Sequence, residues 1–567
     1  MKQIFKYLKP YTVNMIIGLS IKFTGTIVEL AIPWILSYMI DEIIPLKQVR
    51  LILIWGGIML LCAICAVTFN IIANRMASKV ARDTTERVRN DLFSKMICLS
   101  DRQVDDFTLP SLISRATTDT YNIHQMLGMM QRIGIRAPIM LIGGIAITVT
   151  LDPILTLVMI SVMPIIFFTI MYISKVGIPM YSIVQKRVDD FVRVVREDVT
   201  GIRVIKALSK EDYEKDKFNA RNEATVIQEK KSGMVMSILN PVMNLCLNVG
   251  TVLVILAGAY RVNSGAIKPG VIIAFLTYVT LILNALLFIS RVFTNYSKAS
   301  ASSKRIIEII NQPEELIVKE LPQKETDYAI EFENVTFSYN HKEENISNIS
   351  FGIKKGQTLG IIGATGSGKS TLIKLLMRFY DVDEGAIYIN GQNIESINMK
   401  SLREKFGVVF QNDFISTDTI YENIRFGRNL ECDAVKSAAE YAMATEFIEG
   451  KREGFETKVA VRGADLSGGQ KQRMLIARAI AAHPEILILD DSSSALDYKT
   501  DAELRKNLVE HFQDTTTIMI AQRISSVLHA DHICVLEDGY VVGYGTHNEL
   551  IETCDVYKEI NKSQMGE

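Results

Sequence analysis

Six long apolar stretches, all before about residue 298 of a 567-residue chain, limit its possible folds more than any other feature. They run approximately from Val13 to Ile40, Leu51 to Ala73, Ile133 to Leu151, Ile154 to Ile173, Ile238 to Tyr260 and Val271 to Phe293. Each is near or above the ~20 residues that carry a helix across ~30 Å of hydrocarbon. Six such runs are too many for the buried helices of a soluble core. The first lacks a small-residue cleavage site and is too long for a signal-peptide core. The expectation is a helical membrane domain of six transmembrane helices, followed by soluble chain. With 34 Gly, 13 Pro and 48% hydrophobic residues, collagen-like and disordered classes are excluded. A balance of 62 Lys plus Arg against 63 Asp plus Glu leaves no basic surplus, so no nucleic-acid partner is expected. The seven cysteines are odd in number and scattered, which points to a reducing compartment around the soluble parts. Cys62 and Cys65 form a CxxC inside an apolar run, where packing is the expected role.

Charge in the connections sets the orientation. Arg75 to Gln131 holds eight Lys and Arg and Lys175 to Val235 thirteen, whereas the opposite loops hold Lys47 with Arg50, none, and Arg261 with Lys268. Positive charge stays on the cytoplasmic side, so both termini and the soluble portion are expected in the cytoplasm, with the spans in the cell membrane. Met1 to Pro10 alternates Lys2, Lys6 and Lys9 with Ile4, Phe5 and Leu8, the pattern of a short helix on the inner membrane surface. Asn74 to Ser100 continues as charged helix with no Gly or Pro, so the helices project ~40 Å beyond the membrane as stalks.

Beyond Lys298 the pattern changes. Residues 301–329 read as the end of a helix and a charged linker, and 330–567 alternate short β-rich runs with helical ones, an α/β domain. Within it, Gly363-Ala364-Thr365-Gly366-Ser367-Gly368-Lys369-Ser370 fits G-x-x-x-x-G-K-[ST] between the apolar run Thr358 to Ile362 and the amphipathic run Thr371 to Phe379. Glycines let backbone N–H groups turn toward phosphate oxygens, and the following helix adds positive potential at its start. Lys369 is the charge for the β- and γ-phosphates of ATP, and Ser370 a hydroxyl ligand for Mg²⁺. Ile486 to Asp490 is an apolar run ending in a carboxylate suited to holding Mg²⁺ through water.

Between these elements stands Leu466-Ser467-Gly468-Gly469-Gln470, and with it the chain resembles the ATP-binding-cassette (ABC) family. Tyr339 precedes the phosphate loop where the family stacks an aromatic on adenine. Gln411 falls where a glutamine senses Mg²⁺ and faces the membrane domain, and Ser494 to Asp497 follows the acidic strand. The resemblance implies an exporter-type half transporter: a membrane domain over residues 1–300, a linker over 301–329 and an ABC ATP-binding domain over 330–567. It further implies that Thr371 adjoins the nucleotide, that Gln411 joins Ser370 and Asp490 at the metal, and that the signature Leu466 to Gln470 closes on ATP held by a second half transporter. Phe107 to Asp119 and Asp198 to Leu208 resemble the segments that dock on cassettes.

Three positions depart from the family pattern. Asp491 stands where a glutamate usually acts as base, and Gln522 where a histidine usually meets the γ-phosphate; Val461 replaces a glutamate before the signature. Asp is shorter by about 1.5 Å, and a ~1 Å misplacement can cost ~100-fold in rate. The resemblance therefore implies a degenerate site in a heterodimeric exporter of amphipathic drugs, lipids or peptides, with a partner carrying Glu and His. The alternatives are a homodimer using Asp491 as base, and an ATP-gated regulator or channel. Lys22 and Glu29, seven residues apart on one helical face inside the first span, are the candidates for a substrate cavity. Arg132 and Arg136 are expected to snorkel toward the cytoplasmic end of their span.

Overall fold

A computed structural model describes the chain apart from residues 314–315, 341, 412–413, 493–494 and 566–567. It divides into two compact units, Met1–Ile97 with Pro110–Gln312, and Cys98–Leu109 with Pro313–Glu567.

In the first unit six helices are long and apolar enough to cross a membrane. The principal ones are Thr12–Tyr38, Val49–Ile97, Thr120–Leu151, Pro153–Thr200, Leu239–Asn263 and Pro269–Ile310. Leu53, Leu60, Leu157 and Leu256 are all over 60% exposed, the outward apolar face of helices surrounded by lipid. Close approach between helices depends on small residues, since hydrocarbon gives apolar side chains no reason to cluster. A Cβ on Gly25 would lie 2.9 Å from that of Phe69, and one on Gly144 would lie 2.8 Å from Ile282. Val49–Ile97 is continuous over 49 residues, about 70 Å of helix, far more than a bilayer core requires. The expected N-terminal helix is Lys2–Lys6; Tyr7 donates to Asp91 at 2.8 Å. The last helix runs past residue 300 to Ile310 because Lys304 onward keeps the helical pattern. Polar groups near it are paired: Asp119 accepts from Ser302 at 2.8 Å and meets Arg305, and Arg115 donates to Glu308 at 2.8 Å.

Among its described residues the second unit holds ten strands: β1 (Tyr328–Phe337), β2 (Ile346–Lys354), β3 (Thr358–Gly363), β4 (Glu384–Ile389), β5 (Gln392–Asn393), β6 (Phe406–Val409), β7 (Ile486–Asp490), β8 (Thr516–Ile520), β9 (His532–Glu537) and β10 (Tyr540–Gly545). They form a four-stranded antiparallel sheet, β2-β1-β4-β5, and a six-stranded sheet, β10-β9-β3-β8-β7-β6. In the larger sheet β9, β3, β8, β7 and β6 run parallel, and β7 is buried along its whole length. Parallel sheets bury both faces, which is why these strands read as unbroken apolar runs. Their carboxyl ends lie side by side, the place where open α/β sheets bind ligands.

The segment belonging to this second unit begins upstream of the expected Phe107 to Asp119. Its short helix Asp101–Phe107 starts at a reciprocal cap between Ser100 and Gln103. Gln103 then donates to the Pro313 carbonyl at 3.0 Å, and Asp105 accepts from Tyr380 at 2.8 Å. Arg115 and Asp119, by contrast, are taken up by the 302–308 turns. Of the expected Phe107 to Asp119, only 107–109 fall in this unit.

Candidate nucleotide site

Four adjacent strand ends supply the site. The loop leaving β3 turns through Gly366 (φ +88°) and Gly368 (φ +102°) into the helix Lys369–Leu376. At Gly368 the positive φ strains any other residue, and a Cβ would also lie 2.6 Å from the tip of the Ile346 side chain and 3.2 Å from the Asn345 carbonyl. β7 delivers Asp490 and Asp491, β8 delivers Gln522 just beyond its end, and β6 leads to Gln411. A cavity of about 200 Å³ is lined by Thr365, Gly366, Gly368, Lys369, Ser370, Thr371, Gln411, Asp490, Asp491 and Gln522, together with Ile520 and Asn345. Asn345 was not foreseen: its side chain accepts from the Tyr339 amide at 3.1 Å, a tertiary contact with no motif around it.

Within this cavity the groups are coupled. Lys369 Nζ donates to the carbonyls of Gly363 at 2.8 Å and Ala364 at 2.7 Å. Burial holds its ammonium below the usual lysine range, against the pull of Asp490 and Asp491. Ser370 donates to Asp490 at 3.2 Å. Burial pushes the Asp490 carboxyl above its ordinary value; the Ser370 bond opposes this and the neighbouring Asp491 adds to it. Gln522 Nε2 donates to Asp491 at 3.3 Å, and Asp491 sits at φ +52°, a backbone state that Asp tolerates better than most residues. The Ser367 hydroxyl is buried with no hydrogen-bond partner. That orphan donor, the open turn at Gly366 and the lysine fit a polyphosphate. Ser370 and Asp490 are hard oxygen donors of the kind Mg²⁺ takes alongside phosphate and water.

Tyr339 stands beside the cavity rather than in its lining. Its hydroxyl is 3.3 Å from that of Thr371, its ring lies edge-on to Tyr380 at 5.2 Å, and Lys374 sits 5.4 Å from its centroid. The signature residues are elsewhere in the unit. Leu466 is buried, Ser467 caps the helix Gly468–Ile480 in a reciprocal box with Gln470, and Gly468 and Gly469 lie against Ala495. None of Leu466 to Gln470 lines the cavity among the described residues. Ser494 lies outside the described residues, while Asp497 caps Tyr498–His511 through Thr500.

In the membrane unit, Lys22 is buried and donates to Asn70 at 2.7 Å and Asn74 at 3.0 Å. Glu29 pairs with Arg136 at 2.5 Å. Arg136 therefore ties two helices instead of snorkelling, and Arg132 donates back to the Gly128 carbonyl at 3.1 Å.

The family model described as ABC transporter transmembrane region matches residues 15–286, and that described as ABC transporter matches 346–494. The uncharacterized ABC transporter ATP-binding protein YfiB of Bacillus subtilis is 33% identical, over 100% of this chain and 99% of that protein. The chain belongs to the ABC transporter family. The transporter is also 31% identical to an uncharacterized ABC transporter ATP-binding protein of Mycobacterium tuberculosis, over 99% of this chain and 97% of that protein. A solved bacterial Atm1-family ABC exporter with ATP bound shares its fold at a TM-score of 0.83 and 24% identity, covering 99% of each chain. The transporter carries an ABC transmembrane region with six apolar helices and one ATP-binding cassette.

Proposed function

We propose that the transporter is one half of a heterodimeric exporter and that its own ATP site is the slow one. The observation that carries this reading is the Gln522 amide on the Asp491 carboxylate at 3.3 Å, beside an intact phosphate loop. A carboxylate one methylene short, with one lone pair engaged by an amide, is poorly disposed to position and deprotonate water. Lys369 and the loop amides hold the phosphates, Ser370, Asp490 and Gln411 hold Mg²⁺, and Tyr339 stacks on adenine. Bound Mg²⁺ neutralises charge building on the phosphates. Ser467, Gly468 and Gly469 complete the competent site of the other half, which carries Glu and His. The excess of Lys and Arg in the two long connections supports a cytoplasmic cassette and export of amphipathic compounds from that side. Lys22 and Glu29 contribute to the translocation path through their helix-to-helix ties.

The test is hydrolysis by the chain purified alone. Brisk, drug-stimulated ATPase activity from a symmetric dimer would establish the homodimer with Asp491 as base. ATP binding with little turnover, restored on adding the second half, is the expected result.

A further inference from the structure

The last helix of the cassette, Asp555–Met565, anchors through Tyr557 and Ile560 in the apolar cluster that also contains Ile362, Ala521 and Ile524. Positions 557, 560 and 564 share one helical face, so the face that anchors the helix also presents Gln564. Its amide makes two bonds to one loop. Gln564 Oε1 accepts the Ile524 N–H at 2.8 Å, and Nε2 donates to the Gln522 carbonyl at 2.8 Å. A donor and an acceptor side by side thus pair with residues 522–524 as a neighbouring strand would. Ile524 opens the short helix Ile524–Val527, whose N-cap Arg523 supplies no side-chain cap, and Gln564 satisfies that first amide instead. The same C-terminal helix, with Gly363 to Thr365 and Gln522, walls a cavity of about 350 Å³. It therefore backs both the phosphate loop and the loop whose side chain reaches Asp491.

We propose that Gln564 is a positioning residue of the ATP site: by holding the peptide groups on both sides of Arg523 it fixes where the Gln522 amide stands relative to Asp491. This rests on Gln522 occupying the γ-phosphate switch position. Both bonds go to backbone, so the clamp acts on the loop whatever side chain stands at 522. It sits 42 residues downstream of the group it positions.

The test uses membrane vesicles containing the full-length transporter assembled with its partner, and follows retention of azido-ATP on this chain by photolabelling after dilution. Gln564→Met keeps the length and apolar stem and removes both bonds; Gln564→Glu keeps the acceptor and loses the donor. Retention time should fall about 5- to 30-fold in Gln564→Met and by an intermediate factor in Gln564→Glu. Labelling at saturating nucleotide should stay at the wild-type value, and the melting temperature should fall by no more than about 4–8 °C for the two lost bonds. If Gln564→Met retains nucleotide like wild type while Gln522→Ala does not, the clamp is overturned and the reading of Gln522 stands. If neither substitution changes retention, both fall. A melting temperature lowered well beyond about 8 °C, with Gln564→Glu no better than Gln564→Met, would make the residue structural and also overturn the proposal.

Discussion

At the site, one methylene and one backbone angle separate two outcomes. Asp491 reaches Gln522 but ends about 1.5 Å short of where a glutamate would, and its positive φ suits Asp. Asp491→Glu should therefore raise single-turnover hydrolysis at this site by about 10- to 100-fold, measured with labelled ATP on the transporter assembled with a partner whose own site is inactivated; an unchanged rate would mean that reach is not what limits it. Lys369 offers the phosphates a charge already desolvated within the loop. Lys369→Ala should weaken azido-ATP labelling of this chain by at least about tenfold, and undiminished labelling would contradict its role. Both residues were legible in the sequence because the phosphate loop and the strand-end acid are local patterns. Asn345 and Gln564 were not: Asn345 takes a backbone amide six residues back with no motif around it, and Gln564 bonds a loop 40 residues upstream.

Among the elements, the segment 98–109 is held in the second unit by specific polar contacts. Tyr380 donates to Asp105 at 2.8 Å, and Tyr380→Phe removes only that bond. A loss of about 1 kcal/mol should lower the melting temperature of the cassette unit by about 2–4 °C, as followed by thermal unfolding in detergent. Asp101, on the same short helix, has its carboxyl raised by burial and by Asp105, against the pull of Lys374 and Arg403. A carboxyl raised in the folded chain contributes stability that is present at low pH and lost as pH rises through the raised value. Asp101→Asn should thus gain on wild type as pH is taken from about 4 to about 7. Melting temperatures at a series of pH values check this, and a difference independent of pH would contradict it. The sequence reading put a docking segment at Phe107 to Asp119; that Ser100, Gln103 and Asp105 tie 98–109 into the second unit is a tertiary fact with no local pattern behind it.

For the whole molecule, the proposed division of labour between two cassettes has a simple signature. Ser467→Ala or Gly468→Asp should cut the assembled transporter's ATPase by about 10- to 100-fold, while Asp491→Asn leaves most of it. A Cβ at Gly468 would find ordinary contact, 3.5 Å from Ala495, so Gly468→Asp introduces charge rather than a backbone clash. Complete silencing by Asp491→Asn would place hydrolysis in this chain's own site and end the asymmetric reading.

The amino-acid sequence by itself determined six spans, a following α/β cassette and the phosphate loop. Each follows from a local period or spacing: about 20 apolar residues for a bilayer, apolar runs for a parallel sheet, glycines where φ must be positive. Only tertiary structure decided that Lys22 is satisfied by Asn70 and Asn74 and that Arg136 is bound to Glu29. It alone likewise decided that the carboxyl ends of β3, β8, β7 and β6 bring Lys369, Gln522, Asp490 and Gln411 around one cavity. Those pairings depend on helix rotation and strand order, which no short window of sequence encodes, because the energy that selects them comes from satisfying buried polar groups between segments far apart in the chain.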